Sequence, residues 1–290
     1  MNQQSLEKQC FEKLSKRYLC QEKVGFGGGA SVFSAWDIKW QRDVALKIAF
    51  TKDRVSRLKQ EYIFLTNFDH ANIIKVFDYH QLQDDMAYMV MPLNRGVTID
   101  ELKNCSDLNS LTMLVAQILE ALTAIHLRGL VHRDLKPENI LVSGINRAAS
   151  IKLIDFGLSS QLESSQKTVG TFPYIAPEVI YRKPVDGRAD LYSLGVIICE
   201  LLSPQIKQYE ITDKKQYHKE VLHPLHRLNP VIPEEFSNFV AKLTAFDSGD
   251  RFDSAYYALE YLLKISNIKV PAISKRAVLK RVIKSGAISH

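Results

Sequence analysis

Two short stretches hold most of the side chains in this sequence that are equipped for chemistry. His132 to Asn139 reads HRDLKPEN, and sixteen residues beyond Asn139 comes Asp155-Phe156-Gly157, after the apolar run Ile151 to Ile154. They bring together carboxylates at Asp134 and Asp155, an amide at Asn139 and an ammonium at Lys136. Carboxylate and amide oxygens are hard donors, the kind that Mg2+ takes alongside phosphate oxygens. Upstream, Val24 to Phe33 reads VGFGGGASVF. A glycine-rich turn between strands lets backbone N–H groups come close to a phosphate, because no Cβ intervenes and positive φ is free of strain. Singly, each piece has a plainer reading: Asp often caps turns, and a glycine run alone is a weak signal.

In combination the pieces are specific. The pattern H-R-D-L-x-x-x-N followed by D-F-G resembles the signature of eukaryotic-type (Hanks-type) Ser/Thr protein kinases, and the GFGG wording is similar to bacterial members. The resemblance covers roughly residues 18 to 264 and implies specific roles. Asp134 would orient the acceptor hydroxyl and take its proton, Lys136 would stabilise charge on the transferred group, and Asn139 with Asp155 would hold Mg2+ on the phosphates of ATP. Val44-Ala45-Leu46-Lys47-Ile48 sits where the family has V-A-I-K, so Lys47 would contact the α/β-phosphates and pair with Glu61. Val24, Gly25, Gly27, Val32, Ala45 and Leu141 would line the nucleotide; Met91 would be the gatekeeper, with Pro92 to Asn94 as the adenine-binding hinge. Gly170 to Glu178, GTFPYIAPE, resembles the end of an activation segment: Thr171 would bond Asp134 and Lys136, and Glu178 would pair with Arg251. Asp190 would tether the catalytic-loop backbone. Two positions depart from the family pattern, Ala30 at the third glycine and Ala71 at the proline of H-P-N-I.

These residues need elements to hold them. Leu6, Cys10, Phe11 and Leu14 recur at helical spacing, which predicts a leading helix over residues 1 to 17. From Tyr18 the pattern is strand-like, and Val44 to Ile48 alternates as a strand. Helices are expected over Arg54 to Phe68, Asp100 to Leu102, Leu111 to Leu127, from Asp190 onward, over Glu234 to Ala245 and over Ser254 to Ile265. Ala87 to Val90 reads as a fifth strand, and Ile140 to Val142 with Ile151 to Ile154 as a hairpin. His126 reads as structural, and His218, His223 and His226 as surface residues, because they lack a fourth ligand or i, i+4 spacing. The fold class implied by the resemblance is α+β, a bilobal kinase fold. It comprises a helical extension (1–17), a small antiparallel-sheet N-lobe (18–93), a larger, mainly helical C-lobe (94–264) with ATP bound between the lobes, and a basic tail (265–290).

Composition is that of an ordinary globular protein. The chain has 290 residues, 46% of them hydrophobic, which is enough for a sizeable core. The most apolar stretch, Leu191 to Leu202, is too short to cross a bilayer, charged residues interrupt Met1 to Leu19 where a signal peptide would need an apolar core, and four scattered cysteines suit a reducing compartment. A cytosolic location is the expectation. The net charge of +6 resides in Ile265 to His290, which contains six basic residues and no acid. There Val278, Leu279, Val282 and Ile283 oppose a basic face that would contact a membrane surface, a partner groove or the chain's own body; no specific nucleic-acid partner is expected. The expected activity is transfer of the γ-phosphoryl group of Mg-ATP to Ser or Thr of protein substrates, with autophosphorylation at Ser164, Ser165 or Thr168 opposite Arg133. Two alternatives are a catalytically silent scaffold and a small-molecule kinase. Lys47, Asp134, Asn139 and Asp155 argue against the first, and the GTFPYIAPE segment against the second.

Overall fold

A computed structural model describes residues 3–27, 30–102, 107–144, 149–157, 160–161, 171–203, 213–220, 222 and 224–266. The chain divides into two compact units. The first comprises Met1–Asp69, Ile74–Arg95 and Asp155–Gly157, and the second His70–Ile73, Gly96–Ile154 and Leu158–His290.

The first unit is built on one antiparallel sheet. Helix α1 (Gln3–Leu14) leads into β1 (Tyr18–Gly27), β2 (Ala30–Asp37) and β3 (Arg42–Ala49). Helix α2 (Lys52–Thr66), β4 (Asp78–Gln83) and β5 (Met86–Pro92) follow, and the strand order is β1-β2-β3-β5-β4. The turn into β3 is set by Asp37, whose buried Oδ1 accepts from the backbone N–H groups of Lys39 (2.9 Å) and Trp40 (3.2 Å), while Gln41 takes a left-handed φ of 48°. Alternation then sorts the side chains by face. Phe33 pairs with Leu46 and Ala35 with Val44, and they join Ile48, Tyr88 and Val90 in a core cluster that Cys10 and Leu14 of α1 close over. The intervening residues Val32, Ala45, Lys47, Met89 and Met91 share the opposite face, paired Val32 to Lys47, Lys47 to Met89 and Ala45 to Met91. Helix α2 serves that face. Its first turn is capped by the Thr51 hydroxyl, which accepts from Arg54 N at 3.4 Å.

The second unit contains β6 (Val97–Thr98), α3 (Leu108–His126), β7 (Leu130–Val131), β8 (Ile140–Ser143), β9 (Ser150–Leu153) and β10 (Ser160–Gln161). After these come α4 (Pro177–Ile180), α5 (Arg188–Leu202), α6 (Lys214–Glu220), α7 (Leu225–Leu228), α8 (Glu234–Leu243) and α9 (Ala255–Ile265). The expected hairpin exists as β8 and β9, with β6 on the outer side of β8, and Ile140 pairs with Leu153. Ile99–Leu102 is a single 3-10 turn where a helix was expected to begin at Asp100. Helix α3 begins at Leu108, earlier than the apolar periodicity indicates, because Asp107 accepts from Asn109 N at 3.0 Å and starts it. Among the described residues α3, not Leu191 to Leu202, is the helix long and apolar enough to cross a bilayer, yet 78% of its most apolar window is buried inside the protein, as in the core helix of a globular fold. Gly195 lets α5 approach the end of α8: a Cβ there would meet Thr244 Cγ2 at 2.5 Å.

Two of the histidines expected on the surface have structural partners instead. His218 Nε2 lies 2.9 Å from Thr244 O, and His226 Nδ1 lies 3.0 Å from Ser237 Oγ, both half-buried. They tie α6 and α7, elements absent from the sequence reading, to α8; His223 lies outside the described residues, as does the tail from residue 267. Cys10, Cys20 and Cys199 are free thiols, and burial pushes them up to about 12, 11 and 12, away from nucleophilic reactivity.

Candidate active site

In the first unit three ionisable side chains from distant parts of the chain meet in a buried cluster. Strand β3 carries Lys47 and α2 carries Glu61, both buried. Lys47 Nζ lies 2.8 and 2.7 Å from the two Glu61 oxygens and 3.0 Å from Asp155 Oδ1. Asp155 adopts a left-handed φ of 60°, a conformation Asp tolerates better than most residues. Phe156 N donates to Glu61 Oε1 (3.3 Å), Gly157 N to Asp155 Oδ1 (3.3 Å), and the Phe156 ring stacks on Phe64 at 4.8 Å. Asp155 is thus fixed by its neighbours' backbone, by the lysine and by an aromatic anchor.

The charge balance of this cluster is uneven, with one ammonium facing two carboxylates. Burial alone would lower the pKa of Lys47, but the fields of Glu61 and Asp155 outweigh it and hold the amine above its ordinary value. Glu61 is also pushed up, first by burial and then by Asp155, against the opposing pull of Lys47 and the Phe156 N–H. Both shifts favour the protonated form, for different reasons: the two carboxylates hold the proton on Lys47, and burial joined by the charge of Asp155 does so for Glu61.

In the second unit the HRDLKPEN segment is held from below by Asp190 on α5. Asp190 is fully buried; its Oδ2 accepts from His132 N and its Oδ1 from Arg133 N, each at 2.9 Å, and His126 Nε2 lies 2.8 Å from Oδ2. Burial would raise this carboxyl, but the hydrogen bond and charge of His126, with His132 adding to them, bring it below its ordinary value. Gly187 gives the His126 ring room to lie there, since a Cβ at that position would meet Nδ1 at 2.5 Å. Arg133 turns through a left-handed φ of 68°, and the next residue is Asp134.

Around Asp134 the polar groups converge. Thr171 Oγ1 donates to Asp134 Oδ1 at 3.1 Å, Lys136 Nζ lies 3.1 Å from Asp134 Oδ2, and Lys136 Nζ donates to Thr171 Oγ1 at 3.2 Å. Asn139 Nδ2 donates to Asp134 O at 2.8 Å and more loosely to its Oδ2 at 3.4 Å, while Ile154 N donates to Asn139 O at 2.9 Å. With its amide nitrogen so engaged, Asn139 is oriented to present Oδ1 as an acceptor.

The segment that carries Thr171 is anchored further along. Glu178 and Arg251 form a buried two-pronged pair at 2.7 and 2.8 Å, and Arg251 also donates to the carbonyls of Ala245 and Arg188, each at 2.8 Å. Tyr174 OH donates to Glu200 Oε2 at 2.8 Å, and Ser193 Oγ donates to Tyr174 O at 2.9 Å. The Tyr174–Glu200 pair and the support of Asp190 by His126 were not foreseen. Glu200 left a trace all the same, as a charge that interrupts the apolar run of α5.

The remaining candidates fall on the sheet and the hairpin. Val24, Gly25 and Gly27 lie on β1, with Val24 exposed, and Val32 and Ala45 share the Lys47 face. A Cβ built on Gly25 would meet nothing within 4 Å, so no neighbour among the described residues accounts for glycine there. Met91 and Pro92 pair with Ala45 and Val44 at the end of β5, followed by Asn94. Leu141 is half-buried on β8 in the second unit. Ser164, Ser165, Thr168 and Gly170 lie outside the described residues.

A two-part arrangement of this kind, a lysine-carboxylate cluster on an antiparallel sheet and an Asp-Lys-Asn-Thr group on a helical scaffold, defines a class. The sequence pattern of the protein kinase domain matches residues 18–261, and the chain belongs to that family. Among relatives, it is 30% identical over 260 residues to the serine/threonine-protein kinase PrkC of Bacillus subtilis, covering 84% of this chain and 40% of PrkC. It is 30% identical over 282 residues to the serine/threonine-protein kinase PknL of Mycobacterium tuberculosis, covering 89% of this chain and 69% of PknL. It is 29% identical over 253 residues to the probable serine/threonine-protein kinase PknB of Lactococcus lactis, covering 81% and 40%. The chain thus spans less than half the length of PrkC and of the lactococcal PknB. All three relatives are bacterial.

Proposed function

We propose that the protein transfers the γ-phosphoryl group of ATP to Ser or Thr hydroxyls of proteins. The observation that carries this reading is Lys47 Nζ held at 2.7 to 3.0 Å from both Glu61 and Asp155, a pairing that a silent scaffold has no need to keep and that positions an amine for phosphate oxygens. The serine/threonine kinase names of its relatives support the acceptor class.

The donor set suits Mg2+. Asp155 supplies carboxylate oxygen and Asn139 presents an amide oxygen, both hard donors of the kind Mg2+ takes alongside phosphate oxygens. Asp155 and Asn139 would hold the ion, which when bound neutralises charge on the phosphates. The lack of a side chain at Gly25, with no neighbour among the described residues to account for it, suits close approach of a phosphate. Asp134 orients the acceptor hydroxyl and takes its proton, and its own orientation is fixed by Thr171, Lys136 and Asn139. Lys136 places positive charge beside the transferred group. Phosphoryl transfer asks for positioning and charge neutralisation more than covalent participation, and these residues supply both.

The test is incubation of the purified chain with labelled Mg-ATP and generic protein substrates, beside a panel of metabolite alcohols and with Asp134→Asn as control. Label on protein Ser or Thr that disappears in Asp134→Asn is the expected result; label only on metabolites, or none, refutes the proposal. Autophosphorylation at Ser164, Ser165 or Thr168 belongs to the same proposal, and added mass in multiples of one phosphate after incubation is its readout.

A further inference from the structure

Glu7 and Phe11 lie one turn apart on α1 and both reach the β1–β2 hairpin, on the face of the sheet opposite Lys47. Phe11 meets Phe33 edge-on, with ring centroids 4.9 Å apart at 87°. Glu7 Oε1 lies 3.4 Å from Lys23 Nζ, and Lys23, the cross-strand partner of Phe33, holds its ammonium 5.7 Å from the Phe33 ring. These four side chains form one line of contacts, Glu7 to Lys23 to Phe33 to Phe11, with its two ends on the helix and its middle pair on the hairpin.

The location of this line of contacts in the hairpin matters. The register of β1 against β2 shifts twice, between Cys20 and Lys23 and again between Lys23 and Gly25. Lys23 therefore stands between two irregularities, where the ladder itself constrains the hairpin least, and only two residues before Gly25. Phe33 immediately follows Val32, whose side chain lies on the nucleotide face of the strand. A push on Phe33 from one face is felt by Val32 on the other. Helix α1 has further anchors besides these contacts, because Cys10 and Leu14 are buried in the cluster beneath it.

We propose that Phe11 and Glu7 are positioning residues for the nucleotide: α1 braces the glycine-rich hairpin from behind and sets the placement of Gly25, Gly27 and Val32. The inference rests on the reading that these three residues contact ATP. It makes the N-terminal helix part of the nucleotide-binding machinery, acting through Phe33 and Lys23 without touching the ligand.

Calorimetric titration of the full chain with Mg-ATP, paired with urea unfolding and with KM and kcat for ATP, tests this. Phe11→Ala should bind Mg-ATP about three- to tenfold more weakly, the range corresponding to loss of one aromatic pair, with KM rising and kcat changing little; Phe11→Tyr, which keeps the ring, should restore binding. Glu7→Lys should weaken binding about twofold, and adding Lys23→Glu should recover it. Folded Phe11→Ala and Glu7→Lys variants with wild-type affinity and KM would overturn the proposal. If Phe11→Ala does not unfold cooperatively, the half-exposed Glu7–Lys23 swap decides alone, because it leaves the packing in place. A wild-type chain that fails to bind Mg-ATP would instead bring down the proposed function, and this inference with it.

Discussion

Replacing Lys47 with Met gives the sharpest check on the electrostatics of the buried cluster. The substitution preserves most of the volume and removes the ammonium that lies 2.7 Å from Glu61 and 3.0 Å from Asp155. Breaking a buried ion pair from one side costs about 3–5 kcal/mol because the partner charge is left uncompensated, which for a domain of this size is a fall in Tm on the order of 10 °C. The loss should depend on pH in a definite direction. Glu61 is already held above its ordinary value in the presence of the lysine, whose charge opposes that rise, so without it Glu61 moves further up. A carboxyl whose folded pKa exceeds its unfolded value takes up a proton more readily in the folded state, and its contribution to stability is present at low pH and lost as pH rises through the folded value. The deficit of Lys47→Met relative to wild type should therefore be largest at pH 7 to 8 and shrink as the pH falls toward 5. Urea unfolding of both proteins across that range measures it, and Lys47→Met combined with Glu61→Gln should recover part of the loss at neutral pH, since one uncompensated charge is gone. A deficit that does not change with pH, or a double variant no more stable than the single one, would refute the account of Lys47 as the counter-charge of two ionised acids.

Arg251→Ala leaves Glu178 buried and strips the Ala245 and Arg188 carbonyls of a donor, so a loss of about 3–5 kcal/mol is expected in chemical denaturation. Asp190→Asn replaces one of two accepting oxygens by a donor and leaves either His132 N or Arg133 N unpaired; stability should drop by about 1–3 kcal/mol and kcat should fall as Asp134 loses its fixed backbone. Because the folded Asp190 carboxyl sits below its ordinary value, its contribution is present above the unfolded pKa and disappears as pH falls through the folded one, so wild type and Asp190→Asn should converge in stability in strong acid. Tyr174→Phe removes the hydroxyl that Glu200 accepts from and should cost about 1–3 kcal/mol, visible as a lower urea midpoint.

What could be read in the sequence was whatever repeats at short range or carries a fixed spacing. The leading helix followed from Leu6, Cys10 and Leu14, and the strands around Lys47 from alternation and β-branching. Lys47, Glu61, Asp134, Asn139, Asp155 and Thr171 were legible as members of motifs, and the structure assembles them in two groups. What stayed hidden depends on tertiary contact between residues with no local mark. Nothing near His126 indicates that it supports a carboxylate 64 positions away, and nothing near Asn72 shows that its side chain would bond Gln117 and the Ile151 carbonyl, fastening His70–Ile73 to β9. His218 and His226 were misplaced for the same reason: a polar stretch looks solvated until helices fold over it and turn each imidazole toward a carbonyl or a hydroxyl.

Gly25 shows folding and catalysis pulling in opposite directions at one position. Its φ lies outside the left-handed region and a Cβ there would meet no neighbour among the described residues, so Gly25→Ala fits the native backbone and should stabilise the chain by about 0.4–1 kcal/mol by stiffening the unfolded state. A variant more resistant to urea yet poorer at engaging ATP would mean that this strand forgoes rigidity to keep a seat clear for its guest.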